Sequence, residues 1–215
     1  EAYQKNQKTN TMAKLDLIEI YLWTNNKKWE IFADEIINEN IKNDFIIKIL
    51  LNKLLNSDYH DYAKKIIVLK RQQKDKGAFY SYEMGNYYIS QIDYENSIKQ
   101  FLIHLENNPK QYDKIANKII GLPDYTEVQN IIKEILKNSL LPSSKMLLSD
   151  LAFKSNDFEI SYNLLKDSSP SPKQLLDFAY QNKKIENYNL AIKVYNDIIY
   201  DNHSSNTTIS AILNL

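Results

Sequence analysis

The chain of 215 residues contains no cysteine, which excludes disulfides, thiol nucleophiles and Cys-ligated zinc. Glycine occurs three times and proline five times. Strands joined by tight turns draw heavily on glycine. The scarcity therefore argues for helices joined by short connections and against long irregular stretches. Arginine is nearly absent: the 27 basic residues are 26 lysines and Arg71, matched by 27 acidic residues for a formal charge of zero. Arginine is the usual donor for bidentate phosphate and guanine contacts, so a neutral chain with one arginine is not expected to bind nucleic acid. No stretch approaches the ~18 consecutive apolar residues that mark a membrane span. The most apolar one, Phe45 to Leu55, is interrupted by Lys48, Asn52 and Lys53. The lack of cysteine slightly favours the periplasmic side of a bacterial cell envelope over the cytoplasm. Neither a signal peptide nor an initiator methionine is present, so a mature form or an excised piece is expected.

What the chain does have is an internal period. A polar residue followed by an aromatic opens a helical segment at Lys28-Trp29, Asp61-Tyr62, Asp93-Tyr94, Asp124-Tyr125, Asp157-Phe158 and Asn187-Tyr188. The steps between these aromatics are 33, 32, 31, 33 and 30 residues. Behind each aromatic the apolar residues recur at helical spacing, as in Ile98, Phe101, Leu102 and Leu105 after Tyr94. That is the stripe of an amphipathic helix with one buried face. A second apolar helix precedes the signature, for example Leu175, Leu176, Phe178 and Ala179 before Tyr188. Each unit is thus predicted to be a helical hairpin, and hairpins of this size bury their apolar faces only by stacking. Asp93, Asp124, Asp157 and Asn187 are placed to act as N-caps of the following helices. Pro109, Pro142 and Pro172 fall near unit boundaries.

The stretch Tyr82 to Pro109, YEMGNYYISQIDYENSIKQFLIHLENNP, resembles a tetratricopeptide repeat, whose period is about 34 residues. Met84-Gly85 stands at the family's Leu-Gly pair, and Tyr88 at the aromatic of the first helix. Tyr94, Ser97 and Phe101 match the aromatic, small and large apolar positions of the second helix, and Pro109 closes the unit. The small positions elsewhere are Ala116, Ser149, Ser161, Ala179 and Ala191, and the last full unit carries about two extra residues before Asn187. The resemblance implies an all-α fold, an α-solenoid of about six helix-turn-helix repeats. The domain organisation expected is a frayed polar leader over 1–12 and two divergent hairpins over 13–76. Four tetratricopeptide-like repeats follow over 77–203, and then the start of a further helix or a cap over 204–215.

The resemblance also implies a binding surface, because the first helices of such arrays line the concave side. Carried onto this chain, those positions are Phe79, Tyr82, Asn86 and Ser90 in the third unit, and Lys110, Asp113 and Asn117 in the fourth. They are Met146, Asp150 and Phe153 in the fifth, and Leu176, Tyr180 and Lys183 in the sixth. Asn86 and Asn117 recur at one position of consecutive units, where amides hold a peptide backbone in grooves of this kind.

Signs of catalysis are missing. His60, His104 and His203 lie in different units without metal-ligand spacing, the three glycines are isolated, and no nucleophile elbow or H-E-x-x-H motif occurs. No catalytic residue, metal or cofactor is therefore expected. The function expected is a protein–protein interaction scaffold, holding a peptide or helix of a partner protein. The alternative is a structural subunit of a larger bacterial envelope or secretion assembly with broad lateral contacts. A regulatory or anchoring segment of a larger enzyme is a third reading. Two glycosylation sequons, Asn202-His203-Ser204 and Asn206-Thr207-Thr208, arise freely in an Asn-rich chain and carry no weight.

Overall fold

The apolar stripes fold as helices in a computed structural model that describes residues 2–57, 59–201 and 205–215, with side chains over 10–57, 59–201 and 206–215. His203 and the first sequon lie outside the described residues. Among the described residues thirteen α-helices follow one another: α1 (Ala2–Trp23), α2 (Lys28–Asn40), α3 (Asp44–Leu55), α4 (His60–Arg71), α5 (Ser81–Ser90), α6 (Tyr94–Asn107), α7 (Tyr112–Ile120), α8 (Thr126–Asn138), α9 (Pro142–Lys154), α10 (Phe158–Asp167), α11 (Pro172–Lys184), α12 (Tyr188–Tyr200) and α13 (Ser205–Asn214). A 3-10 turn, Pro109–Gln111, precedes α7. No strand occurs among the described residues, and no helix there is long and apolar enough to cross a membrane. The six polar–aromatic signatures fall at the starts of α2, α4, α6, α8, α10 and α12. Residues 2–12, set apart above as a frayed leader, belong instead to α1; Thr11 is buried and Met12 packs against the core.

The turns explain why those signatures mark helix starts. Helices α1, α9 and α11 end alike, with a left-handed residue two positions beyond the helix: Asn25, Asn156 and Glu186, at φ 51°, 63° and 65°. After α9, the Asp157 N–H donates to the Ala152 carbonyl at 2.9 Å and the Asn156 N–H to Phe153 at 3.0 Å. After α11, Asn187 donates to Asn182 and Glu186 to Lys183, at 2.9 and 3.1 Å. These pairs close the preceding helix as a Schellman motif. The polar signature residue thus serves the helix it follows through its backbone. Its expected capping by side chain holds only at Asp93, which accepts from the Asn96 N–H at 3.1 Å. Asp157 and Asn187 make no such cap, and Tyr125, not Asp124, holds the N-cap position of α8. Asn43 caps α3 and Ser171 caps α11 through their side chains, the latter in a reciprocal box with Gln174.

The chain divides into two units, Glu1–Gln91 and Ile92–Leu215. The division falls between α5 and α6, inside the segment that carries the strongest resemblance. In the first unit, Leu15, Ile18 and Leu22 of α1 meet Trp29, Ala33 and Ile36 of α2, the apolar run of α3, and Ala63, Ile66 and Ile67 of α4. The signature aromatics Trp29 and Tyr62 touch edge to face, with ring centroids 4.9 Å apart. Lys70 is wholly buried, its Nζ 2.7 Å from Asp44 and 5.3 Å from the centre of the Phe79 ring; a buried cation needs such partners.

In the second unit the most extensive packing joins α9 to α10 and α11 to α12. Small residues permit it: Ser149 faces Ser161, and Ala179 and Ala191 are buried in the same core. Helix α7 also lies on α9, α11 on α13, and α8 on both α6 and α9. Many polar side-chain contacts reach about one period along the chain. Tyr112 bonds to Asp150, Tyr162 and Lys166 to Asp197, Lys193 to Glu159, and, in the first unit, Lys48 to Glu83, over separations of 31 to 38 residues.

Candidate functional site

The site is built on α7, α9 and α11, of which α9 pairs with α10 and α11 with α12. Pro142 and Pro172 occupy first-turn positions of α9 and α11, where the missing N–H costs nothing and the fixed φ suits the helix. A pocket of about 370 Å³ opens among these three helices. Its floor is aromatic. Phe153 and Phe178 meet edge to face at 5.6 Å, and Phe178 stacks on Tyr162 at 5.7 Å. Polar groups stand around that floor: Tyr112 and Asp113 from α7, Ser149, Asp150 and Lys154 from α9, and Gln174, Asp177 and Gln181 from α11.

The charge there is unbalanced, with three carboxylates against one ammonium. The Lys154 Nζ donates to the Ile120 carbonyl at 3.0 Å, which holds it at a helix end. Asp150 is half-buried and accepts from the Tyr112 hydroxyl at 2.6 Å. Burial pushes the Asp150 carboxyl above the ordinary aspartate range, and the neighbouring Asp113 charge adds to this, while the Tyr112 hydrogen bond opposes it. The Tyr112 phenol is pushed up by its own burial, then by Asp150.

A second pocket of about 340 Å³ adjoins the first, sharing Tyr112, Met146 and Gln174. Leu105, Pro109, Leu141 and Pro142 make it mainly apolar, with Glu106 and Ser143 at its edge. Gln174 Nε2 lies 3.6 Å from the Met146 sulfur across the shared partition. The two pockets form one groove with an acidic, aromatic end and an apolar end.

Of the residues assigned by resemblance, Asp113, Met146, Asp150 and Phe153 come together here. Lys110 and Asn117 are exposed and do not line the pocket. On α11 the assigned set misses the groove. Leu176, Tyr180 and Lys183 point elsewhere, and Lys183 donates to the Asn214 carbonyl at 2.8 Å, tying α11 to α13. The groove face of α11 is Gln174, Asp177, Phe178 and Gln181. It lies 28 residues beyond Met146, Ser149, Asp150 and Phe153, whereas the Phe158-to-Tyr188 step is 30. The two extra residues expected before Asn187 are not there: α9 and α11 both have 13 residues, and Pro172, Glu186 and Asn187 stand 30 residues beyond Pro142, Asn156 and Asp157. The pocket lies between the two helices and so takes different flanks of them.

In the first unit Phe79 is 7% exposed and forms part of the core, with Lys70 over its ring. It is not a surface residue. Tyr82 and Asn86 are half-buried, and the Asn86 amide donates to the Tyr82 carbonyl of its own helix at 2.8 Å. Ser90 is exposed and donates to the Tyr87 carbonyl at 2.7 Å. Asn86 and Asn117 fall in different units, and the Asn86 amide is already engaged. Tyr112, Asp177 and Phe178 were not foreseen as lining. The hydroxyl partner of Tyr112 lies 38 residues away. Compared with family models, curated proteins and solved structures, the chain finds no match in any of the three.

Proposed function

We propose that the chain is a non-enzymatic interaction scaffold, a tetratricopeptide-like α-solenoid of about six hairpins. Its groove on α7, α9 and α11 takes a peptide or helix of a partner protein. The observation that carries this reading is the convergence of three helices on one groove with an aromatic floor and a polar rim. Such grooves, apolar with a few placed polar groups, are the usual form of a binding site. Asp113, Met146, Asp150 and Phe153, four of its residues, were expected from the resemblance alone. The test is a screen of the whole chain against an immobilised random-peptide library. Binding is expected, and Phe153→Ala and Met146→Ala should abolish it at unchanged helicity. Exposed changes outside the groove, Tyr180→Ala and Asn117→Ala, should leave it intact. No binding to any peptide, or binding indifferent to Phe153, overturns the reading.

A second reading, a structural subunit with broad lateral contacts, is favoured by α13. There Ile209, Ile212 and Leu213 are 53%, 55% and 79% exposed, an apolar face of the kind that marks association. Self-association or assembly lost on changing Ile212 and Leu213 to Ser, with the groove variants inert, would favour that reading.

A further inference from the structure

We infer that the groove's occupant is a cationic, amphipathic peptide segment. It presents a lysine or arginine side chain to the pocket between Asp113, Asp150 and Asp177, and an apolar side chain about three residues away to the pocket walled by Pro109 and Pro142. This rests on the groove being a peptide site, as proposed above, and adds which peptides it takes.

The chain is neutral overall, yet this pocket gathers three carboxylates, and its one ammonium, Lys154, is engaged by the Ile120 carbonyl. Tyr112 holds the Asp150 carboxylate in one orientation at 2.6 Å, so an arriving cation meets an ordered acceptor. Beside it, Phe153 and Phe178 offer ring faces and edges, and a cation placed over a ring face is attracted by its quadrupole. An ammonium or guanidinium on an aliphatic stem matches both features: the stem lies along the rings and the charged head reaches the carboxylates. Phosphorylated or acidic peptides and nucleic acid would be repelled by the same carboxylates.

Ser143 edges the apolar pocket and Asp150 the acidic one, seven residues apart on α9. At ~1.5 Å per residue this is about 10 Å along the helix. An extended peptide advances ~3.3 Å per residue, so its two anchors stand about three residues apart. Tyr112, Met146 and Gln174 form the ridge between them.

The same library screen, read for sequence, tests this. Lys or Arg should be enriched at one position, with Leu, Met or Phe two to four residues away. The enriched peptide, labelled and titrated against the whole chain by fluorescence anisotropy, should lose about tenfold or more in affinity to Asp150→Asn, since that bond is between charged groups. It should lose about two- to fivefold to the more exposed Asp177→Asn. Gln in place of its basic residue should match the Asp150→Asn loss, and added salt should weaken binding. Peptides bound with no basic preference, or unaffected by both Asp variants while still sensitive to Phe153→Ala, would overturn this inference and leave the groove standing. No binding by any peptide would overturn both.

Discussion

The Tyr112–Asp150 bond joins α7 to α9 inside the groove and offers a test of whether its carboxylate is there for the fold. Tyr112→Phe removes the donor and leaves a half-buried carboxylate without its 2.6 Å partner. Leaving such a group unmade costs about 1–3 kcal/mol. Asp150→Asn is different, because the amide oxygen still accepts from Tyr112 while the charge is gone. Burial raises the Asp150 carboxyl in the folded state, and Asp113 adds to it. A carboxyl raised above its unfolded value favours the fold when protonated. That contribution is fully present below the unfolded value and is lost as pH rises through the folded one. At neutral pH the ionised side chain therefore works against folding, and Asp150→Asn should be at least as stable as the natural chain. The difference should vanish in acid, where the natural side chain is protonated. The double variant should lose less than Tyr112→Phe alone, by about 1 kcal/mol, because no charge is stranded. Urea unfolding followed by far-UV circular dichroism measures these differences. Trp23 and Trp29 both lie in the first unit, so tryptophan fluorescence reports that unit separately. If Asp150→Asn proves as destabilising at neutral pH as Tyr112→Phe, the carboxylate serves the fold, and its charge is no longer an argument for a cationic partner.

Two further predictions concern the frame that carries the groove. Ser149 and Ser161 are buried and exchange hydroxyl-to-carbonyl bonds at 2.7 and 2.8 Å; the Ser149→Ala/Ser161→Ala pair should cost little beyond ~1 kcal/mol, whereas Ser149→Leu should cost about 1–3 kcal/mol by forcing α9 from α10, both read by thermal unfolding. Asp93→Ala should cost about 1 kcal/mol through loss of its cap, and Asp157→Ala, which caps nothing with its side chain, should stay within about 0.5 kcal/mol; equal losses in urea titrations would refute the distinction.

The sequence by itself determined the helices and their order. Six polar–aromatic pairs at 30 to 33 residue steps mark the starts of the even-numbered helices from α2 to α12. This was legible because amphipathic periodicity is a local property, set by side chains three and four residues apart on one helix face. The small residues Ser149, Ser161, Ala179 and Ala191 likewise announced where helices pack closest. The tertiary structure alone decided which side chains face one another across helices. Phe79 sits under the buried Lys70, and α11 turns Asp177 and Phe178 into the groove in place of Leu176 and Tyr180, because the pocket lies between α9 and α11 and takes a different flank of each. Tyr112 finds Asp150 at a distance of 38 residues. Such pairings depend on rotations of about 100° per residue accumulated between a turn and a distant position. A repeat period fixes the helix, but not which flank it turns to each neighbour.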